Sequence, residues 1–192
     1  MRRPDGPRLT GGTAKGARLF SVPGLDVRPA LARLRVSLFE ILRPRLEGAR
    51  VADLFAGTGS LGIEALSRGA AHAIFLDLDP RCVEAIRRSL ERLRFADRGE
   101  ARRADAFVEA ERLGPREIVF VDPPYALYRE RPAPMRRLVE TLLARGVTAP
   151  EGLVVVEHPS GGGLGEVAGG TIADERRYGG TSVTLYAPAA GR

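Results

Sequence analysis

Cysteine, histidine, lysine and long apolar runs are all scarce in this 192-residue chain. Cys82 is the only cysteine, so no internal disulfide can form. Neither Cys82 nor the two histidines, His72 and His158, stand at a spacing that suggests metal ligation, and no metal is expected. No segment approaches the roughly 18 apolar residues that a membrane helix needs. The basic N-terminus lacks the apolar stretch of a secretory signal. These absences favour a cytoplasmic protein with no membrane association. Lysine occurs once, at Lys15, so nearly all of the 30 basic side chains are arginine.

What is present is unevenly spread. Residues 1–50 hold 11 basic and four acidic side chains, while residues 51–192 hold 19 and 20. The whole positive excess therefore lies in the first quarter of the chain. Arginine grips phosphate through a planar fork and stacks on bases. A segregated basic arm points to nucleic acid, against the plainer reading of a solvated surface biased by composition. The length suits one domain with a full core, and 44% hydrophobic content with 28% charged is ordinary for a globular protein.

Periodicity then divides the chain, and no internal repeat is visible. Residues 8–22, with Gly11, Gly12 and Gly16 between short apolar segments, read as a small basic hairpin. A helix is expected over 31–42, with Leu31, Leu34, Leu38, Ile41 and Leu42 on one face, ended by Pro44. From there strands at 50–55, 73–78, 100–104, 117–121 and 153–157 alternate with helices at 60–68, 80–94, 106–112 and 134–145. Thr171–Tyr178 and Ser182–Tyr186, joined by Gly179-Gly180, read as a closing hairpin. Alternating βα units with such an ending predict an α/β fold: a mostly parallel, doubly wound sheet with an antiparallel edge pair.

Two motifs carry chemistry. Asp53-Leu-Phe55-Ala56-Gly57-Thr58-Gly59 follows the first strand and opens a helix, as a nucleotide-binding loop does. With Gly62 it also satisfies the dinucleotide fingerprint, so the glycines alone do not separate a dinucleotide from S-adenosylmethionine. Asp77, 20 residues after Gly57, is placed to accept from ribose hydroxyls. Asp53 favours the sulfonium cofactor, because a carboxylate at the strand tip attracts an amine and repels a pyrophosphate. Asp105 follows the third strand, where it can accept from an adenine amine, cap a helix, or do both; Asp79 reads as a cap. The second motif is Asp122-Pro123-Pro124-Tyr125, directly after the buried run Ile118–Val121. Two prolines cannot continue the ladder. The strand thus ends in a stiff loop offering a carboxylate, carbonyl groups and an aromatic face at the ligand-binding edge.

On these residues the chain resembles class I S-adenosylmethionine-dependent methyltransferases that modify exocyclic amines of nucleobases. More narrowly it resembles the bacterial small-subunit (16S) ribosomal RNA guanine-N2 methyltransferases. The likeness runs through Arg8-Leu-Thr-Gly-Gly12, Arg28-Pro29 with Arg33 and Arg35, the glycine loop, Leu61–Arg68, Phe120–Tyr125 and Tyr178-Gly179. It departs at Ala30, Ala32 and Val36, where that family usually has threonine, an acidic residue and glutamate.

The resemblance implies a Rossmann-like, seven-stranded methyltransferase domain over 31–192, preceded by a basic hairpin arm over 1–30. It implies S-adenosylmethionine held by Asp53, Phe55, Ala56, Gly57, Thr58, Gly59, Asp77 and Asp105, and catalysis by Asp122, Pro123, Pro124 and Tyr125. Arg8, Lys15, Arg18, Arg28, Arg33 and Arg35 would meet ribosomal RNA, in the small subunit or an assembly intermediate, with the protein acting as a monomer. Competing readings are a DNA adenine-N6 methyltransferase, a nicotinamide-dependent oxidoreductase and a non-enzymatic RNA-assembly protein. The missing target-recognition domain argues against the first. Asp53 and Asp-Pro-Pro-Tyr argue against the second, and the intact acidic and glycine positions against the third.

Overall fold

The computed structural model describes residues 4–24, 30–144 and 146–189. Arg28 and Pro29 lie outside them. Helix α1 (Ala30–Leu42) precedes strand β1 (Arg50–Leu54). Helix α2 (Ser60–Ser67), strand β2 (His72–Asp77), helix α3 (Pro80–Arg92), strand β3 (Gly99–Arg103), helix α4 (Ala106–Glu109) and strand β4 (Arg116–Val121) follow. Helices α5 (Ala126–Glu130) and α6 (Pro132–Ala144) lead into β5 (Thr148–Pro159), and β6 (Gly170–Tyr178) and β7 (Thr181–Pro188) close the chain. The seven strands form one sheet in the order β3-β2-β1-β4-β5-β7-β6.

Strands β1 to β5 are parallel because each returns through a helical crossover. The two-residue turn at Gly179-Gly180 permits only an antiparallel return, so β7 pairs antiparallel with both β5 and β6. This is the topology expected above, with local differences. The expected helix 106–112 is one α-helical turn continued by a 3-10 turn, Ala110–Arg112. The expected strand 153–157 runs from 148 to 159. The short helix α5 was hidden by the prolines on either side of it.

Side chains alternate across the sheet with period two. Val51, Phe75, Phe120 and Val155 share one buried cluster with Leu34 and Phe39 of α1, Ile63 of α2 and Ile86 of α3. Ala52, Leu76, Val121 and Val156 share the other with Leu138, Val139 and Leu142 of α6.

The arm is the small hairpin expected, with a difference at its tip. Its limbs close through Leu9 N–H to Ala17 O at 2.9 Å and Gly16 N–H to Leu9 O at 2.9 Å, but they share a single antiparallel bridge, Arg8–Arg18. The tip's hydrogen bonds go to α2 instead of across the hairpin. Thr13 N–H donates to Ser67 O at 2.7 Å, Thr10 N–H to Glu64 Oε2 at 2.7 Å, and Ala14 N–H to Ser67 Oγ at 2.9 Å. Gly12 has φ +75°, and a Cβ there would lie 1.8 Å from Ser67 O, so glycine alone fits. Leu9 and Leu19 are buried in the cluster that holds Val51 and Phe120. The arm is thus sewn to the sheet's helices by both polar and apolar contacts.

Candidate active site

Three aspartates and Glu157 of β5 gather at the carboxyl edge of the sheet, and strand register explains why. Leu54 pairs with Leu76 and with Val121, and Val121 pairs with Val156. One residue further along the same rows stand Asp77, Phe55, Asp122 and Glu157, with adjacent strands about 4.8 Å apart. Asp53 sits one pleat deeper on β1. Asp53, Asp77, Asp122 and Glu157 each follow by two an inward residue of the α1–α3 side, namely Val51, Phe75, Phe120 and Val155. All four therefore fall on that face. The sequence reading singled out the three aspartates and missed Glu157. The signal was there: like them, it ends an apolar run, Leu153–Val156.

Asp53 lies beneath the glycine loop with 1% of its surface exposed, and its Oδ2 accepts from Gly62 N–H at 2.8 Å. Burial holds its carboxyl well above the usual carboxylate range, and the nearby Asp122 and Asp77 push the same way; the Gly62 hydrogen bond only partly offsets them. The consequence for stability has a definite sign. In the unfolded chain an aspartate titrates near 3.9. Between that value and its higher folded value the native state binds a proton that the unfolded state has lost, so stability falls as pH rises through this window. Asp53→Asn is expected to remove that slope and to leave the protein more stable than wild type at neutral pH. Urea denaturation from pH 4 to 8 checks it; a variant with an unchanged slope would contradict the assignment.

The loop itself is fixed by backbone geometry. Gly59 caps α2 with φ +73°, and a Cβ there would stand 2.9 Å from Ile86 Cγ1. Phe55 adopts φ +63°, a strained setting for a bulky residue, at the turn leaving β1. Its ring meets Phe107 edge-on at 5.6 Å, and the Arg131 guanidinium lies over Phe107 at 4.5 Å. Ala56 N–H donates to Leu76 O at 3.0 Å, and Thr58 is buried. Asp77 secures the loop directly: its Oδ2 accepts from Gly57 N–H at 2.7 Å and its Oδ1 from Asp79 N–H at 2.8 Å. Each oxygen has a further lone pair available to a hydroxyl donor. Asp79 caps α3, and Asp105 caps α4 by accepting from Phe107 N–H at 2.9 Å. Leu78, directly after Asp77, is 61% exposed. The sequence reading passed over it, although an apolar side chain on an open strand tip marks a contact surface.

At the tip of β4, Asp122 is half-buried, Pro123 buried and Pro124 exposed. The Tyr125 hydroxyl lies 2.5 Å from Thr181 Oγ1 and donates to Glu157 Oε1 at 3.4 Å. The Tyr128 hydroxyl donates to the Glu157 backbone carbonyl at 2.7 Å. Burial, then Asp122 and Glu157, push the Tyr128 pKa far up, so it remains a donor. His158 Nε2 lies 2.9 Å from Thr184 Oγ1, and the His158 ring stands edge-on to Tyr128 at 6.2 Å. The loop is thereby braced on the β5–β7 pair. His158 is part of that brace. Cys82 packs with Phe20, Val22 and Ala85, where burial pushes its thiol up to about 12. Among the described residues no cluster suits a metal ion.

The basic candidates separate into two groups. Arg8, Lys15, Arg18 and Arg33 are exposed. Arg8 Nη1 donates to Gly16 O and Arg18 Nη1 to Gly6 O, both at 3.2 Å. Arg35 differs from the expected surface contact. It is 6% exposed, donates through Nη2 to Arg8 O at 3.0 Å and faces the charge of Glu64, because its helical position points into the core beside Leu34 and Leu38. Val36, one of the departures named above, is exposed on α1.

Comparison with known proteins places this arrangement. The model of the family described as Conserved hypothetical protein 95 matches residues 7–187. The chain belongs to this family. Ribosomal RNA small subunit methyltransferase D of Escherichia coli (strain K12) is 34% identical over 184 residues, covering 93% of this chain and 88% of that protein. The solved structure of yhhF from Escherichia coli is 31% identical, covers 96% of this chain and 98% of that one, and superposes with a TM-score of 0.82. SMU.776, solved in complex with SAH, shares the fold at 16% identity and a TM-score of 0.67, covering 88% of this chain and 52% of that one. The fold is therefore the class I methyltransferase fold that the sequence led us to expect.

Proposed function

We propose that this protein transfers a methyl group from S-adenosylmethionine to the N2 amine of a guanine in small-subunit ribosomal RNA. The observation that carries the reading is Asp122-Pro-Pro-Tyr125 beside a row of carboxylates at the ligand edge of a class I methyltransferase sheet. The relative named for the small-subunit RNA reaction supports it, as does the fold neighbour solved with SAH.

The residues suit a cationic cofactor. The charged neighbours that act on Asp53 are Asp122 and Asp77, both acidic, so a pyrophosphate would be opposed and a sulfonium with an ammonium group favoured. Asp77 would take the ribose hydroxyls on the lone pairs that Gly57 N–H and Asp79 N–H leave free, and the exposed Leu78 beside it would offer an apolar face to a purine. When bound, S-adenosylmethionine supplies an electrophilic methyl on a positively charged sulfur.

The chain's own groups do the rest. The nucleobase amine is a weak nucleophile because its lone pair is delocalised into the ring. Asp122 and the Pro123 carbonyl accept its two N–H bonds, which holds the nitrogen in line and favours the pyramidal form that localises the lone pair. Tyr125 stacks on the flipped base. Positioning and preorganised acceptors supply most of the rate. No strong base is needed, because the amine becomes far more acidic as it is alkylated and its proton passes to the Asp122 carboxylate that already accepts it, and from there to solvent. Arg8 and Arg18 are paired across the arm's bridge, a like-charge pair that repels unless a polyanion lies over it. RNA is such a polyanion.

Calorimetry is expected to show binding of S-adenosylhomocysteine and none comparable for nicotinamide dinucleotides. Tritiated methyl incorporation into small-subunit RNA or its particle, followed by digestion to nucleosides, is expected to yield N2-methylguanosine. N6-methyladenosine would transfer the assignment to an adenine target, and tight dinucleotide binding without S-adenosylhomocysteine binding would overturn it.

A further inference from the structure

We propose that Glu157 is the residue that selects guanine, by accepting a hydrogen bond from the base N1–H while Asp122 holds the neighbouring N2 amine. The inference rests on the methyl-transfer reading above and names the edge of the base that the same site reads.

Register is the starting point. Val121 of β4 pairs with Val156 of β5 in a parallel ladder. The next residues are Asp122, the first beyond β4, and Glu157, buried within β5; they stand side by side on the same face, about 4.8 Å apart at the backbone. Both carboxylates act electrostatically on the Tyr128 hydroxyl, which itself donates to the Glu157 backbone carbonyl at 2.7 Å. Across the edge the order is Asp77, Asp53, Asp122, Glu157. The cofactor residues lie on one side of Asp122 and Glu157 on the other. With the amine held at Asp122 and the methyl donor on the Asp77 side, the base ring extends towards Glu157.

Tyr125 strengthens the placement. Its hydroxyl, 2.5 Å from Thr181 Oγ1 and 3.4 Å from Glu157 Oε1, fixes the ring so that the Glu157 carboxylate stands at its rim. A base stacked on that ring presents its polar edge to the carboxylate. Glu157 is itself held firmly: Tyr128 donates to its backbone carbonyl, and its main chain pairs with Val183 of β7.

The chemistry then chooses the base. Guanine carries N1–H directly beside its N2 amine, so two neighbouring acceptors meet a continuous row of donors. Adenine carries an unprotonated N1 beside its amine, and a carboxylate facing that lone pair is repelled. A site built to accept a hydrogen bond rejects analogues that lack the donor far more strongly than an apolar pocket can.

2-Aminopurine keeps the N2 amine but has a lone pair at N1 and lacks O6, so it is the change of preference in Glu157 variants that isolates this contact. The target is first mapped with wild-type enzyme. Small-subunit RNA is then assembled by ligation with either guanine or 2-aminopurine at that position and reconstituted into particles. The wild-type kcat/KM is expected to favour guanine on the order of a hundredfold. Glu157→Gln, whose amide can offer N–H to the lone pair, should narrow the preference to under about tenfold, with S-adenosylhomocysteine affinity unchanged. Glu157→Asp, a carboxylate withdrawn by one methylene, should slow guanine and, by easing the repulsion at N1, speed 2-aminopurine. A wild-type preference within about threefold, or one that neither variant changes, overturns the role of Glu157 while guanine methylation itself stands. If the wild-type enzyme methylates no guanine at N2, both readings fall.

Discussion

Asp122→Ala is expected to lower methyl transfer by on the order of a hundredfold or more, the loss typical when a preorganised partner of the transition state is removed. The side chain is half-buried at a strand end, and the backbone around it is held by prolines and by the Tyr125 and Tyr128 contacts to β5 and β7. Fold and cofactor binding should therefore persist. Asp122→Asn keeps the size and one acceptor oxygen and should retain more activity than alanine. Tyr125→Phe should be mild and Tyr125→Ala severe if the stacking face matters more than the hydroxyl. The assay is tritiated methyl incorporation with product identification. Full activity in Asp122→Ala would falsify the mechanism, whichever base is modified.

The second large effect concerns stability and lies away from the chemistry. Glu64 is fully buried on α2. Its carboxylate accepts from Thr10 N–H and Thr10 Oγ1, each at 2.7 Å, and from Arg68 Nε at 2.9 Å. The charge of Arg35 also faces it. Glu64→Ala would leave the buried Arg35 guanidinium without its facing charge, leave Arg68 only its 3.6 Å pair with Glu40, and unfasten the arm at Thr10. Removing one partner of a buried pair typically costs about 3–5 kcal/mol. In a chain of this size that corresponds to a melting temperature lower by on the order of 10 °C. Glu64→Gln, which keeps an acceptor, should cost less. Thermal and urea denaturation measure both, and a loss below about 1 kcal/mol for alanine would show that the network is not what holds the arm. The same structure cautions against testing the arm by truncation. Removing residues 1–20 would strip Leu9 and Leu19 from the main core, so charge changes at the exposed Arg8, Lys15 and Arg18 are the cleaner probe of RNA binding.

Much of this molecule was legible in the chain because its signals are local. The buried runs at 51–54, 73–76 and 118–121 are apolar apart from Asp53, whatever surrounds them. A helix-length segment between two such runs dictates a parallel return, and Gly179-Gly180 dictates an antiparallel one. The strand-end aspartates could be read for the same reason: a carboxylate that ends an apolar run, before a glycine loop or a proline pair, has its chemistry written in its neighbours.

Other features depended on residues far apart in sequence, where no local pattern speaks. The basic segment 8–22 carries the turn residues of a hairpin. Whether its backbone groups pair across the turn or reach to α2 depends on Glu64 and Ser67, more than fifty positions away. Arg35 carries the same charge as Arg33, two residues before it, and only the packing of α1 puts one inside and the other in solvent. Glu157 looks in sequence like the polar end of a strand. Parallel pairing of β4 with β5 sets it beside Asp122, because register aligns strand ends that the chain separates by a loop and two helices. The sequence by itself determined which elements form, how they alternate and which residue types could bind a methyl donor and an amine. The tertiary structure decided which of those residues share a face, since a contact between distant positions exists only once the sheet has set their spacing.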